Sequence, residues 1–191
     1  MRLRLAVIVA STRNGRFGPT VAEWFTGRAD RRGDLETDLI DLAVTALPPT
    51  LADTDEPLPA KVADLAPRLA TADAFAVVTP EYNSSFPAPL KTALDWYYQE
   101  WHAKPVAIVS YGRETGGLYA AAQLRQVFTE LHAVAIRNTV TLPCYWEQFA
   151  ADGSWPRPGT GYEAAVKTTL DQLVWWARAL RTARDEHPYQ P

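Results

Sequence analysis

The chain has 191 residues, 47% of them apolar and 21% charged, with a single cysteine; 19 Lys and Arg against 22 Asp and Glu leave a net charge of −3. At roughly 100–200 residues per domain this is one domain, residues 1–191, large enough to bury a core without a metal or disulfide staple. One cysteine excludes an intrachain disulfide and fits a reducing compartment, and the mild charge argues against a nucleic-acid or anionic-membrane binder working through bulk charge.

The N-terminus sets two arginines before an apolar run, as a signal peptide does. Its unbroken stretch, Leu5–Ala10, is shorter than the roughly 7–15 residues of a signal core, and a polar Ser-Thr-Arg-Asn-Gly segment follows at once. It reads instead as a buried strand, Leu3–Ala10. Further Val- and Ile-rich runs predict strands at Leu35–Leu42, Ala74–Thr79, Pro105–Ser110 and Ala135–Thr139, apolar enough to be covered on both faces as parallel strands are. Helical patterns fall at about Gly18–Asp30, Ala60–Ala72, Leu90–Trp101 and Gly116–His132, with a last one near Tyr162–Arg184. Five repeats of strand then helix make an open, doubly wound α/β domain. Pro67 removes a backbone donor, so its helix is either kinked there or begins there. Thr45–Pro59, with four prolines, is a surface loop. Leu142–Gly161 carries Cys144, Tyr145, Trp146, Phe149 and Trp155, and a loop so long and aromatic is either functional or packed against something. No segment approaches the roughly 18–20 apolar residues of a membrane span, so a cytoplasmic protein is expected.

Three strand ends carry the chemistry. After the first strand comes Ser11-Thr12-Arg13-Asn14-Gly15-Arg16-Phe17-Gly18-Pro19, leading into a helix whose free N–H groups and positive dipole end suit an anion. The hydroxyls of Ser11 and Thr12 and the guanidinium forks of Arg13 and Arg16 would complete a phosphate site; an ordinary turn with solvated arginines is the plain alternative. The loop is neither a Walker A sequence nor a GxGxxG. After the third strand, Pro80-Glu81-Tyr82-Asn83-Ser84-Ser85-Phe86-Pro87 offers flat apolar surface beside donors and acceptors suited to a polar heterocycle. The fourth strand runs into Ser110-Tyr111-Gly112-Arg113-Glu114-Thr115-Gly116-Gly117, whose glycines admit a close planar ligand. In open α/β sheets, ligands bind beyond the carboxyl ends of strands, where these three loops would converge. His102, His132 and His187 are far apart in sequence with no metal-ligand spacing, and Cys144 has no C-x-x-C partner.

These loops resemble a family, the NAD(P)H-dependent FMN reductases. Ser11–Arg16 is similar to their GSxRxxS-type loop, and Pro80–Lys91 looks like their PEYNxSxPxxLK signature. Tyr111-Gly112 with Gly116-Gly117 matches their third flavin loop, and Leu124-Arg125 falls where members often have an LR pair. The resemblance spans about residues 3 to 140 and implies a flavodoxin-like fold, a five-stranded parallel sheet in the order 2-1-3-4-5 with helices on both faces. It implies that Ser11, Arg13, Arg16, Phe17 and Gly18 surround an FMN phosphate. Pro80, Glu81, Tyr82 and Asn83 would then lie beside the isoalloxazine, with Ser110, Tyr111, Gly112, Gly116 and Gly117 at its other edge. Ala10 stands where many members have Gly, while Arg16 and Gly18 replace a Ser and an Asn, which implies a more guanidinium-based phosphate grip.

The activity implied is FMN-dependent oxidation of NADPH or NADH, with electrons passed to a small acceptor such as a quinone, azo compound, free flavin or metal oxyanion. The flavin carries that chemistry, so no protein nucleophile or metal is needed. A flavodoxin-type electron carrier and a flavin-free phosphate-ester module are the rivals. On the helix from Leu90, the stripe Leu90, Ala93, Leu94, Tyr97 and Trp101, widened by Trp96 and Tyr98, covers an apolar arc of about 200° at 100° per residue. That excess predicts a homodimer, or a dimer of dimers as in the family, unless the long aromatic loop covers it. Neither nucleic acid nor membrane is an expected partner.

Overall fold

A computed structural model describes residues 2–52 and 56–191. Its first strand, β1 (Leu3–Val9), sends alternate side chains to opposite faces, as the pleat requires: Leu3, Leu5, Val7 and Val9 enter one apolar cluster, Ala6 and Ile8 the other. The remaining strands are β2 (Leu35–Asp41), β3 (Ala74–Pro80), β4 (Pro105–Gly112) and β5 (Val134–Pro143). They pair in the order β2-β1-β3-β4-β5, all parallel. The expected flavodoxin-like topology is borne out. Every residue of β3 and β4 is buried, because helices cover both faces.

The helices are α1 (Gly18–Ala29), a single turn α2 (Leu42–Thr45), α3 (Ala60–Thr71), α4 (Ala88–Trp96), α5 (Leu118–Glu130) and α6 (Tyr162–Glu186). Val21 and Phe25 of α1 join Leu170 and Leu173 of α6 on one face of the sheet. Leu65 of α3, Leu94 of α4 and Phe128 of α5 pack on the other.

Several expectations change. Helix α3 runs unbroken through Pro67: Val62 and Leu65 before it and Leu69 after it are all buried in one cluster, and that shared anchorage outweighs the missing donor. Gly116 and Gly117 lie outside α5, since their φ values of +61° and +88° are not helical. The helix from Leu90 does not reach Trp101. It ends at Trp96, Tyr97 is extended, and Gln99–Trp101 forms a short 3₁₀ turn. The apolar arc expected of a continuous helix therefore does not exist. Trp101 is fully buried against Phe75, with ring centroids 4.7 Å apart, and the Trp96 indole donates to Pro48 O at 2.8 Å. Of that set, Tyr98 is the exposed one. The loop expected at Thr45–Pro59 includes the end of α2 and lies in part outside the described residues. Among the described residues no helix is long and apolar enough to cross a membrane.

The β4–β5 pairing carries an irregularity. Val106 pairs with Ala135 but Ile108 with Thr139, so β5 bulges across Ile136–Asn138. Arg125, on α5, fills the bulge: it donates to Ile136 O at 2.7 Å and Arg137 O at 2.8 Å, and to Thr139 Oγ1 at 2.7 Å. Carbonyls stranded by a bulge need donors, and the guanidinium fork supplies several at once. The Arg of the LR pair thus has a structural task.

Candidate active site

All strands run in one sense, so the loops after β1, β3 and β4 leave the same edge of the sheet. Between β1 and β3 the chain direction switches sides, which is where open α/β sheets bind ligands. Ala10 N donates to Val78 O at 2.9 Å and Glu81 N to Tyr111 O at 3.0 Å, carrying the ladder up to the loops themselves.

The first loop turns at Arg13–Arg16, where Arg16 N donates to Arg13 O at 3.2 Å, and Phe17 precedes α1 without any side-chain cap. Ser11 is fully buried and Tyr111 nearly so, yet neither the Ser11 nor the Tyr111 hydroxyl has a hydrogen-bond partner. Both lie beneath Gly18, where a Cβ would collide with Ser11 Oγ and come within 3.1 Å of Tyr111 Oη. Burial pushes the Tyr111 phenol well up, which keeps it a neutral donor. The two hydroxyls lie against each other beneath the uncapped start of α1, the Ser11 hydroxyl pulling the Tyr111 pKa down against the larger effect of burial, and above them the helix N–H groups and the exposed Arg13 suit an anion.

The two loop arginines behave differently. Arg13 is exposed, with its guanidinium 5.8 Å from the centroid of the Tyr82 ring. Arg16 is turned inward: it donates to both oxygens of Asp41, at 2.7 Å each, and to Ser11 O at 2.9 Å. Phe17 points behind the loop into an aromatic cluster, 4.6 Å from Tyr145 and 5.0 Å from Trp155 between ring centroids. The long aromatic loop therefore packs against the first loop, and the Trp155 indole pins it by donating to Tyr145 O at 2.9 Å.

The second loop is a tight hairpin. Tyr82 and Ser85 exchange backbone bonds of 2.8 and 3.0 Å, with Asn83 and Ser84 both left-handed at φ +50° and +60°, as a type I′ turn demands. Gln123 of α5 holds this strained turn, donating to Ser84 O at 2.8 Å and accepting from Ser85 Oγ at 2.6 Å. Pro80 is buried at the end of β3. Glu81 faces the neighbouring loop: Thr115 Oγ1 and Tyr119 N each donate to its carboxylate at 2.9 Å. It braces the second and third loops against each other.

In the third loop the Ser110 hydroxyl is committed to Gly116 O at 3.0 Å. A Cβ on Gly117 would sit 2.5 Å from Ser110 Cβ, and one on Gly112 3.0 Å from Gly117 N. The cradle is packed backbone on backbone. Of the residues expected around a cofactor, the structure thus brings the three loops together. It aims the Ser110, Glu81, Phe17 and Arg16 side chains at the protein itself. Asp41 and Gln123 were not foreseen, since each meets its partner only through the fold; Tyr145 and Trp155 belong to the aromatic loop expected to be functional or packed against something, and it packs on Phe17.

A family model described as NADPH-dependent FMN reductase matches residues 3–147. The chain belongs to the NADPH-dependent FMN reductase family. An NAD(P)H-dependent FMN reductase from Schizosaccharomyces pombe is 38% identical over 152 residues, covering 73% of this chain and 74% of that protein. A 2-hydroxy-1,4-benzoquinone reductase from Burkholderia is 29% identical over 189 residues, 95% of this chain and 100% of that one. Among solved structures, the flavoenzyme NAD(P)H:(acceptor) oxidoreductase FerB from Paracoccus denitrificans superposes with a TM-score of 0.76 at 26% identity, over 93% of this chain and 98% of that one. The protein is an oxidoreductase of this FMN reductase family, with FMN as cofactor and NAD(P)H as co-substrate.

Proposed function

We propose that the protein is an FMN-dependent NAD(P)H oxidoreductase whose acceptors are small quinones. The convergence of the three loops at one edge of the sheet, with the exposed Arg13 guanidinium beside the uncapped start of α1, carries the cofactor half of this reading, because a free cation and helix N–H groups together suit a phosphate. The activity for which the full-length Burkholderia relative is named supports the quinone half.

When bound, FMN supplies two-electron chemistry, accepting hydride from the nicotinamide and delivering electrons to the acceptor. The protein's own tasks are binding and orientation. The N–H groups at the start of α1 and the exposed Arg13 guanidinium would hold the phosphate, with Ser11 and Tyr111 buried beneath Gly18 as the floor of the loop. The Pro80–Asn83 hairpin, braced by Gln123, and the glycine cradle at Gly112, Gly116 and Gly117 confine the planar ring. Tyr82, with Arg13 over its face, provides flat apolar surface at the rim. The chain acts in the cytoplasm as a homodimer; the family resemblance supports the dimer, as the helix arc no longer does.

The test is to purify the protein with FMN, record its visible spectrum, and add NADPH or NADH anaerobically, then a benzoquinone. Bleaching followed by return of the yellow colour is the expected result. Stable colour on NAD(P)H addition would instead mark an electron carrier, and failure to take up flavin would mark a phosphate-ester module. Sedimentation at micromolar concentration should show a dimer.

A further inference from the structure

The pair Arg16–Asp41 is not explained by phosphate binding. Its two side chains are each about four-fifths buried, with relative exposures of 19% and 20%, and they meet fork to fork through two 2.7 Å bonds. Asp41 is held from a second side, accepting from Ala43 N at 3.0 Å at the start of the α2 turn. Arg16 in turn donates to Ser11 O at 2.9 Å, so it grips the backbone at the start of the loop. Bidentate geometry of this kind fixes position as well as charge.

We propose that Asp41 is the positioning residue of the anion loop: it draws Arg16 away from the phosphate and onto the Ser11 carbonyl, and leaves Arg13 as the loop's one uncompensated cation. This rests on the flavin-phosphate reading above. The first turn of α1 holds no acidic residue, so no other carboxylate there alters the balance. With Arg16 and Asp41 cancelling, the loop faces the phosphate with one net positive charge from side chains. Removing Asp41's charge raises that to two, removing Arg16's lowers it to zero, and removing both restores one. Affinity for the phosphate should follow this sequence, because charges a few ångströms apart at a protein surface still interact appreciably.

The preference for FMN over riboflavin isolates the phosphate, since the two ligands share the ring and ribityl chain. Dissociation constants for both, measured by flavin fluorescence quenching in moderate salt, should give a preference about three- to tenfold higher in Asp41→Asn than in wild type. Arg16→Met should lower it by a similar factor, and the double variant Arg16→Met/Asp41→Asn should return it to within about twofold of wild type. A purely structural pair would lower the preference, or leave it unmoved, in Asp41→Asn, and either result overturns the proposal. Equal loss in Arg16→Met and in the double variant would overturn it too, by showing that Arg16 touches the phosphate. If riboflavin and FMN both bind wild type without any preference, the phosphate reading falls and this inference with it. Rescue in the double variant is also the safeguard against misfolding, because it contains both changes.

Discussion

At the scale of single residues, packing has made glycine indispensable at Gly117. Its φ of +88° already disfavours any side chain, and an added methyl would meet Ser110 Cβ at 2.5 Å and Tyr111 N at 2.9 Å. Gly117→Ala should therefore cost about 2–4 kcal/mol, combining left-handed strain with overpacking. Gly153 has a similar φ of +81° but nothing within 4 Å of an added methyl, so Gly153→Ala should cost only about 1 kcal/mol. Urea midpoints of the two variants compare the terms directly. At Gly18 packing alone excludes a side chain, since the methyl would collide with the Ser11 hydroxyl and a Val9 methyl.

Between elements, a few side chains carry bonds that the backbone cannot make. Arg125→Met should lose about 1–3 kcal/mol, because the part-buried Ile136 carbonyl in the β5 bulge would be left without its donor. Chemical denaturation measures that loss, and Arg125→Lys should recover part of it, since an ammonium reaches some of the carbonyls but lacks the planar fork. Glu81 joins β3 to the start of α5 through Thr115 and Tyr119. Glu81→Ala should cost about 1–3 kcal/mol and speed exchange of the Tyr119 amide; Glu81→Gln, which keeps an acceptor oxygen, should do less on both counts.

Across the whole molecule, the amino-terminal pole of the sheet gathers what the sequence kept apart. His102 and His132 lie with ring centroids 5.1 Å apart, and Tyr189 from the C-terminal tail meets His132 Nδ1 at 2.9 Å. His102 Nε2 is buried without a partner. Burial, and then the charge of His132, lower the His102 pKa below its ordinary 6.5, against a weaker opposing pull from Glu100. The folded state thus binds fewer protons than the unfolded one below pH 6.5, so this group's stabilising contribution is present above that pH and fades as pH falls through the lowered value. The urea midpoint should drop as pH falls below about 6.5, and His102→Phe should flatten that part of the profile. The carboxylates of Asp34, Glu163 and Asp171, which their arginine or lysine partners hold below the usual range, contribute only at lower pH.

The sequence by itself determined the strand–helix alternation, the parallel sheet, the three loops and, through the Pro80–Asn83 stretch, the family. These are local signals: periodicity, turn residues and a contiguous motif survive in one dimension because the interactions behind them span a few residues. Only the tertiary structure decided which partner each loop side chain meets within the protein. The Arg16 guanidinium meets Asp41, 25 positions away, and the Glu81 carboxylate meets Thr115 and Tyr119 at the start of α5, pairings that no local pattern announces. The stripe from Leu90 to Trp101 reads as one helix, although burial of the Trp101 ring against Phe75 and Phe128 is met by a break after Trp96. In each case a charge, carboxylate or large ring must find a partner to leave water, and which partner it finds depends on chain segments that only the folded sheet brings together.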